Sequence, residues 1–168
     1  SNPQSYHYYM YENFFKDINI KKDNYHLLDG TTENIEKECN SYDKKIKNAG
    51  GIDLQVLGIG PNGHIGFNEP GKSLKRDSHL VNLREETREA NSRFFASKEA
   101  VPKKALTMGI STILKADRII LIAAGEQKSS VIKETIYGEI NTHTPATLLQ
   151  THPEVTLIVD KKGGNHII

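Results

Sequence analysis

At 168 residues, with 22 lysines and arginines against 21 acids and a formal net charge of +1, the chain is long enough to enclose a core; its mixed charges argue against a nucleic-acid-binding stripe or an acidic tail. The longest apolar run, residues 119–124, is far too short to cross a bilayer, and the first residues lack a basic-then-apolar secretion pattern, so the cytoplasm is the expected compartment. Cys39 is the only cysteine, which excludes an internal disulfide and suits a reducing compartment.

The first predicted element is a helix capped by Asn2 with Pro3 at its first position, running through Tyr6, Tyr9, Met10 and Phe14 to about Lys16, its tyrosines expected in the core. Asp29, Thr31 and Thr32 precede a second amphipathic helix that reaches about Asn48 and is closed by Gly50 and Gly51. Cys39 shares an apolar face of that helix with Ile35, Tyr42 and Ile46, which assigns it to packing. Residues 53–57 are apolar, partly β-branched and bounded by glycines, and read as a short buried strand.

The strand runs into the most informative stretch of the chain, Gly58-Ile59-Gly60-Pro61-Asn62-Gly63-His64-Ile65-Gly66-Phe67-Asn68-Glu69-Pro70-Gly71. Gly58, Gly60 and Gly63 fit a dinucleotide-binding G-x-G-x-x-G, but that fingerprint requires a helix to follow, and Gly66, Pro70 and Gly71 fall inside it. The stretch is therefore a loop. In extended backbone Asn62 and His64 project to the same side, and Glu69 can return after a glycine bend, so the three can converge. A histidine gives and takes protons near neutrality, a carboxylate beside it fixes its tautomer and stabilises its charged form, and an amide adds a neutral hydrogen bond. Without a paired thiol or a second closely spaced histidine, a zinc site is poorly supported. The competing reading makes Asn62 and Asn68 turn caps and His64 a satisfied loop histidine; the glycine density and Glu69 favour an active-site loop.

An extended stretch is expected over about 80–83, a helix over about 85–95, and a segment opened by Pro102 that runs through Leu106 and Met108 toward Leu114. Residues 119–123 form a strand that passes through Gly125 into a helix over about 127–137, Pro145 begins a short helix to about Gln150, and 155–159 is a last strand. Strands alternating with helices predict an α/β fold with a mainly parallel sheet flanked by helices. Ligands of such sheets gather beyond the strands' carboxyl ends, where the glycine loop and the Gly125-Glu126-Gln127-Lys128-Ser129 turn both belong. Lys128 is thus a candidate phosphate contact, as is Arg93 between small and aromatic neighbours; the alternatives are a solvated helix lysine and a surface ion-pair arginine.

The run from Leu57 through Pro70 resembles the signature of glucosamine-6-phosphate deaminases. The likeness continues through Ala90-Asn91-Ser92-Arg93-Phe94-Phe95, Val101-Pro102, Ala105-Leu106-Thr107-Met108-Gly109, Gly125-Glu126-Gln127-Lys128 and Pro145-Ala146-Thr147-Leu148-Leu149-Gln150, and so spans essentially the whole chain. Sugar-phosphate lactonases of the same superfamily carry a looser version of the loop. The resemblance implies a Rossmann-like sugar-phosphate isomerase/deaminase fold that converts glucosamine 6-phosphate and water to fructose 6-phosphate and ammonia, by ring opening and aldose–ketose isomerisation, without metal or organic cofactor. It implies His64 as the acid/base of ring opening, Glu69 and Asn62 as its relay, Gly58, Gly60 and Gly63 as loop backbone, and Arg93 and Lys128 as ligands of the substrate phosphate. Some members have aspartate at the position of Asn62. The implied partner is a small sugar phosphate rather than nucleic acid or membrane, with homo-oligomerisation left open.

Two departures from the family pattern stand out. The proton-abstracting aspartate lies in an Asp-Glu-Tyr segment upstream of the stretch matched here, as does a glycine- and threonine-containing phosphate loop. Residues 1–168 are accordingly expected to be one incomplete α/β domain, the C-terminal two-thirds of a deaminase lacking its N-terminal part, and inactive alone. Allosteric members bind N-acetylglucosamine 6-phosphate through basic residues at positions that correspond here to His79 and Val81, so strong activation by that ligand is not expected. The alternatives are a 6-phosphogluconolactonase-like hydrolase and a non-catalytic sugar-phosphate sensor.

Overall fold

The computed structural model describes residues 3–167. In chain order the elements are helices α1 (Tyr6–Asn13) and α2 (Ile35–Asn48), strands β1 (Leu54–Gly58) and β2 (His79–Asn82), helix α3 (Glu85–Asn91), strand β3 (Lys104–Thr107), helix α4 (Ile110–Leu114), strand β4 (Arg118–Ala123), helix α5 (Ser129–Tyr137) and strand β5 (Val155–Val159). β1, β4 and β5 form a parallel sheet in the order β1–β4–β5, with Leu57 opposite Leu121 and Leu121 opposite Leu157. β2 and β3 form a separate antiparallel pair. The architecture is α/β with a mainly parallel sheet, as the alternation of elements predicts.

Strand periodicity decides where the core sits. Ile119, Leu121 and Ala123 alternate along β4 onto one face, where they join Leu57, Ile65, Ile113, Val131, Ile132 and Leu149 in the buried cluster. Each buried valine, leucine or isoleucine among them contributes roughly 1.5–3 kcal/mol by leaving water. The opposite face carries Val56, Ile122 and Ile158, which are 54%, 47% and 49% exposed. The strands are thus apolar on both faces, as in parallel sheets generally, while among the described residues only one face is covered. Among the described residues no helix is long and apolar enough to cross a membrane.

The first helix departs from expectation. The proposed Asn2 cap lies outside the described residues; α1 starts at Tyr6, and Ser5 caps it by accepting from the Tyr8 N–H at 3.1 Å. It buries none of its residues, and Tyr6, Tyr9 and Tyr11 are all more than half exposed. Aromatics at 6, 8, 9 and 11 are spread around the helix rather than along one stripe, so no single face could take them all inward. The strand expected to be buried over 53–57 buries Leu57 but leaves Leu54 and Val56 exposed, and most other differences are boundaries. α2 begins after Asn34, whose side chain accepts from the Lys37 N–H, while Asp29 and Thr32 close local turns just upstream; Cys39 on this helix is buried. The helix expected over 85–95 tightens into a 3₁₀ turn at Ser92–Phe94, and that expected from 127 opens with a 3₁₀ turn at Glu126–Lys128. The segment after Pro102 divides into β3 and α4, because β3 finds its partner in β2, a pairing the local sequence does not announce.

Candidate active site

Residues 59–71, directly after β1, form no helix and are fastened by their own backbone. The Gly60 N–H donates to the His64 carbonyl at 2.9 Å, and the Gly63 N–H to the Gly60 carbonyl at 3.1 Å. Gly63 has φ +82, and a Cβ there would stand 2.6 Å from Thr144 Cγ2; its carbonyl accepts from the Ala146 N–H. Gly60 matters differently: a Cβ would lie 2.2 Å from His64 Cε1, so the imidazole packs where any side chain would stand. Gly58 is the last residue of β1, and a Cβ there would meet nothing within 4 Å, so no contact among the described residues demands glycine. At the loop's far end Asn68 is buried and donates to the Ile65 and Met108 carbonyls, and the Phe67 N–H donates to Thr107 Oγ1.

Within this frame Asn62, His64 and Glu69 meet. Asn62 Nδ2 donates to Glu69 Oε2 at 3.0 Å, which turns its Oδ1 toward His64, where it accepts from the backbone N–H at 3.2 Å and lies 2.8 Å from Nδ1. Since an amide oxygen only accepts, neutral His64 carries its proton on Nδ1. Glu69 Oε2 stands 3.5 Å from that nitrogen, and Oε1 accepts from the Arg84 N–H at 3.3 Å. Nε2 has no hydrogen-bond partner among the described residues, which leaves it able to take a proton and return it.

Burial by itself would raise the Glu69 pKa. Hydrogen bonds from His64, Thr87 and Asn62, together with the His64 charge, overcome that and lower it to about 2, so the carboxylate is ionised at neutral pH. Nothing in the sequence marks Thr87. In Glu85-Glu86-Thr87-Arg88 it reads as one more polar residue on a helix surface, yet it is fully buried against this cluster.

The two cations form a second group. Lys128 Nζ donates to the Ile59 carbonyl at 2.7 Å, which ties it to the root of the loop. Burial lowers its pKa, and the nearby Arg93 charge lowers it further. The exposed Arg93 places its guanidinium 4.7 Å from the centre of the Phe94 ring. Among the described residues neither cation has a carboxylate partner, an arrangement suited to a small anion. Among the described residues no group of three or more His, Cys, Asp or Glu side chains is arranged to hold a metal ion.

A family profile described as glucosamine-6-phosphate isomerases/6-phosphogluconolactonase matches residues 1–158. The glucosamine-6-phosphate deaminase of Halothermothrix orenii is 60% identical over 97% of this chain and 68% of its own length. That of Thermoanaerobacter pseudethanolicus is 55% identical over 98% of this chain and 65% of its own, so the chain spans about two thirds of the length of these relatives. A solved monomeric glucosamine-6-phosphate deaminase superposes with a TM-score of 0.95 at 43% identity, covering 99% of this chain and 69% of that one. The 6-phosphogluconolactonase of Thermotoga maritima, at 20% identity and a TM-score of 0.67 over 88% of this chain and 61% of its own, shares the fold.

Proposed function

The chain belongs to the glucosamine-6-phosphate isomerase/6-phosphogluconolactonase family, and from that premise we propose that it carries the ring-opening and phosphate-holding parts of a glucosamine-6-phosphate deaminase. Water is consumed and ammonia leaves as fructose 6-phosphate forms, which makes the net change hydrolytic. The observation that carries this reading is the hydrogen-bonded Asn62–His64–Glu69 relay, with Nε2 turned away from its partners.

Opening the pyranose moves a proton from the C1 hydroxyl to the ring oxygen as the C1–O bond to that oxygen breaks. His64 makes this transfer at Nε2, accepting the proton of the C1 hydroxyl and delivering it to the ring oxygen, while Glu69 offsets the charge of the transient imidazolium. Asn62 holds the Nδ1–H tautomer and the carboxylate at once. Arg93 and Lys128 bind the 6-phosphate and so set C1 against His64. Gly60 and Gly63 shape the loop, and Gly58 only leads into it. The C2-to-C1 proton transfer needs a further base, a role the motif assigns to none of these residues. We place residues 1–168 in a single α/β domain. The near-zero net charge and lone cysteine support a cytoplasmic setting with a small sugar phosphate as partner.

The test is the product pair. The protein as its gene encodes it, supplied with glucosamine 6-phosphate, is expected to release ammonia and fructose 6-phosphate in equal amounts. Hydrolysis of 6-phosphogluconolactone without ammonia would assign it to the lactonases, and sugar-phosphate binding without turnover would make it a sensor.

A further inference from the structure

We propose that Thr87 is a positioning residue of the relay, its buried hydroxyl donating to the Glu69 carboxylate and holding it against the His64 imidazole. The inference rests on the reading of this site given above. Thr87 sits in the first turn of α3 and is 0% exposed, so its hydroxyl must find a partner inside the protein. A helical threonine commonly bonds back to the carbonyl four residues earlier, as Thr135 does to Val131 at 2.7 Å. Thr87 instead turns its hydroxyl into the site, where Oγ1 lies 3.4 Å from His64 Nδ1, the same atom that Glu69 Oε2 approaches to 3.5 Å, and where it lowers the Glu69 pKa.

The carboxylate is thereby held from two sides. The loop supplies Asn62 Nδ2 on Oε2, and the start of α3 supplies the Arg84 N–H on Oε1 together with the Thr87 hydroxyl. A carboxylate restrained by donors on separate elements cannot swing away when His64 becomes charged, which is when its position counts. The same hydroxyl helps to keep Glu69 ionised despite its burial. The geometry also joins the two parts of the site, since the Thr87 carbonyl accepts from Asn91 Nδ2 at 2.8 Å, and Asn91 leads directly into the turn that carries Arg93.

Thr87→Val keeps the shape and removes the hydroxyl, while Thr87→Ser keeps the hydroxyl. The carboxyl titration of Glu69, followed by NMR, is expected to move up by about one pH unit in Thr87→Val and to stay near its wild-type midpoint in Thr87→Ser. With glucosamine 6-phosphate, Thr87→Val is expected to lower kcat about tenfold with little change in KM, and Thr87→Ser to restore most of the loss. In the wild type the Thr87 hydroxyl proton should exchange slowly and show a nuclear Overhauser contact to the His64 ring, a measurement independent of whether the variants fold. An unchanged Glu69 midpoint in folded Thr87→Val, or a freely exchanging wild-type hydroxyl, would overturn the proposal. A shifted midpoint in a protein that does not deaminate would leave Thr87 as the positioner and remove the assigned reaction instead.

Discussion

The Asn62–His64–Glu69 relay and the Arg93–Lys128 pair lie in the same protein under opposite electrostatic regimes. In the relay every charge has a partner: Glu69 is held by donors from two elements, and its charge faces the imidazole it stabilises. In the pair two positive groups stand close enough for one to lower the pKa of the other, and among the described residues neither has a carboxylate partner. On the proposed function, the difference separates chemistry from recognition. A proton relay works when its geometry is settled before substrate arrives, whereas a phosphate seat keeps its charge uncompensated until the anion supplies the balance.

Removing His64 should have the largest effect. His64→Asn is expected to lower kcat for glucosamine 6-phosphate by about 10²–10⁴-fold with KM little changed, as measured by ammonia release. Gly60→Ala comes next, because the new Cβ would occupy the imidazole's place; a kcat loss on the order of 100-fold with the fold retained by circular dichroism is expected. Lys128→Met, which keeps the aliphatic stem, should act on the other side of the comparison. Affinity for fructose 6-phosphate should fall by about 10–100-fold in titration calorimetry, with kcat at saturation much less affected. If Lys128→Met lowered kcat as His64→Asn does, the division between the two regions would fail.

A smaller effect is expected on stability. The Glu69 pKa in the folded protein lies below its ordinary 4.5, at about 2, so the ionised carboxylate stabilises the fold fully above about pH 4.5 and loses that contribution as pH falls toward about 2. The Tm difference between wild type and Glu69→Gln should therefore narrow across that window. The smallest effect is expected of an effector. His79 and Val81 line a cavity of about 270 Å³ together with Ser73, Lys75 and Glu69, but the Val81 side chain offers a phosphate no charge or donor. N-acetylglucosamine 6-phosphate should not strongly activate the enzyme; a sigmoidal rate curve that it straightens would contradict this.

What could be read from sequence follows the distance between interacting residues. β1, β4 and β5 announce themselves by apolar runs, and α2 by its glycine stop, because those signals are local. Asn62, His64 and Glu69 lie within one short loop, and their convergence follows from glycine bends that the sequence displays. Thr87 reaches the same cluster from a helix whose local sequence looks solvent-facing, and nothing near it in the chain marks the contact. The extended stretch at 80–83 is legible and becomes β2, but β3 and its pairing with β2 are not, since β3 is short and becomes regular only through its partner. The aromatic helix α1 shows the opposite failure: hydrophobic content suggested burial, but tyrosines scattered around the helix leave no single face to bury.

The most direct test is a paired assay of ammonia and fructose 6-phosphate in the protein as encoded, wild type beside His64→Asn, at saturating glucosamine 6-phosphate. Equal release of both products by the wild type, with the rate collapsing in His64→Asn while fructose 6-phosphate still binds, is the predicted result. Turnover by His64→Asn at the wild-type rate, or no ammonia from a wild type that binds the sugar phosphate, would contradict a ring-opening relay at His64.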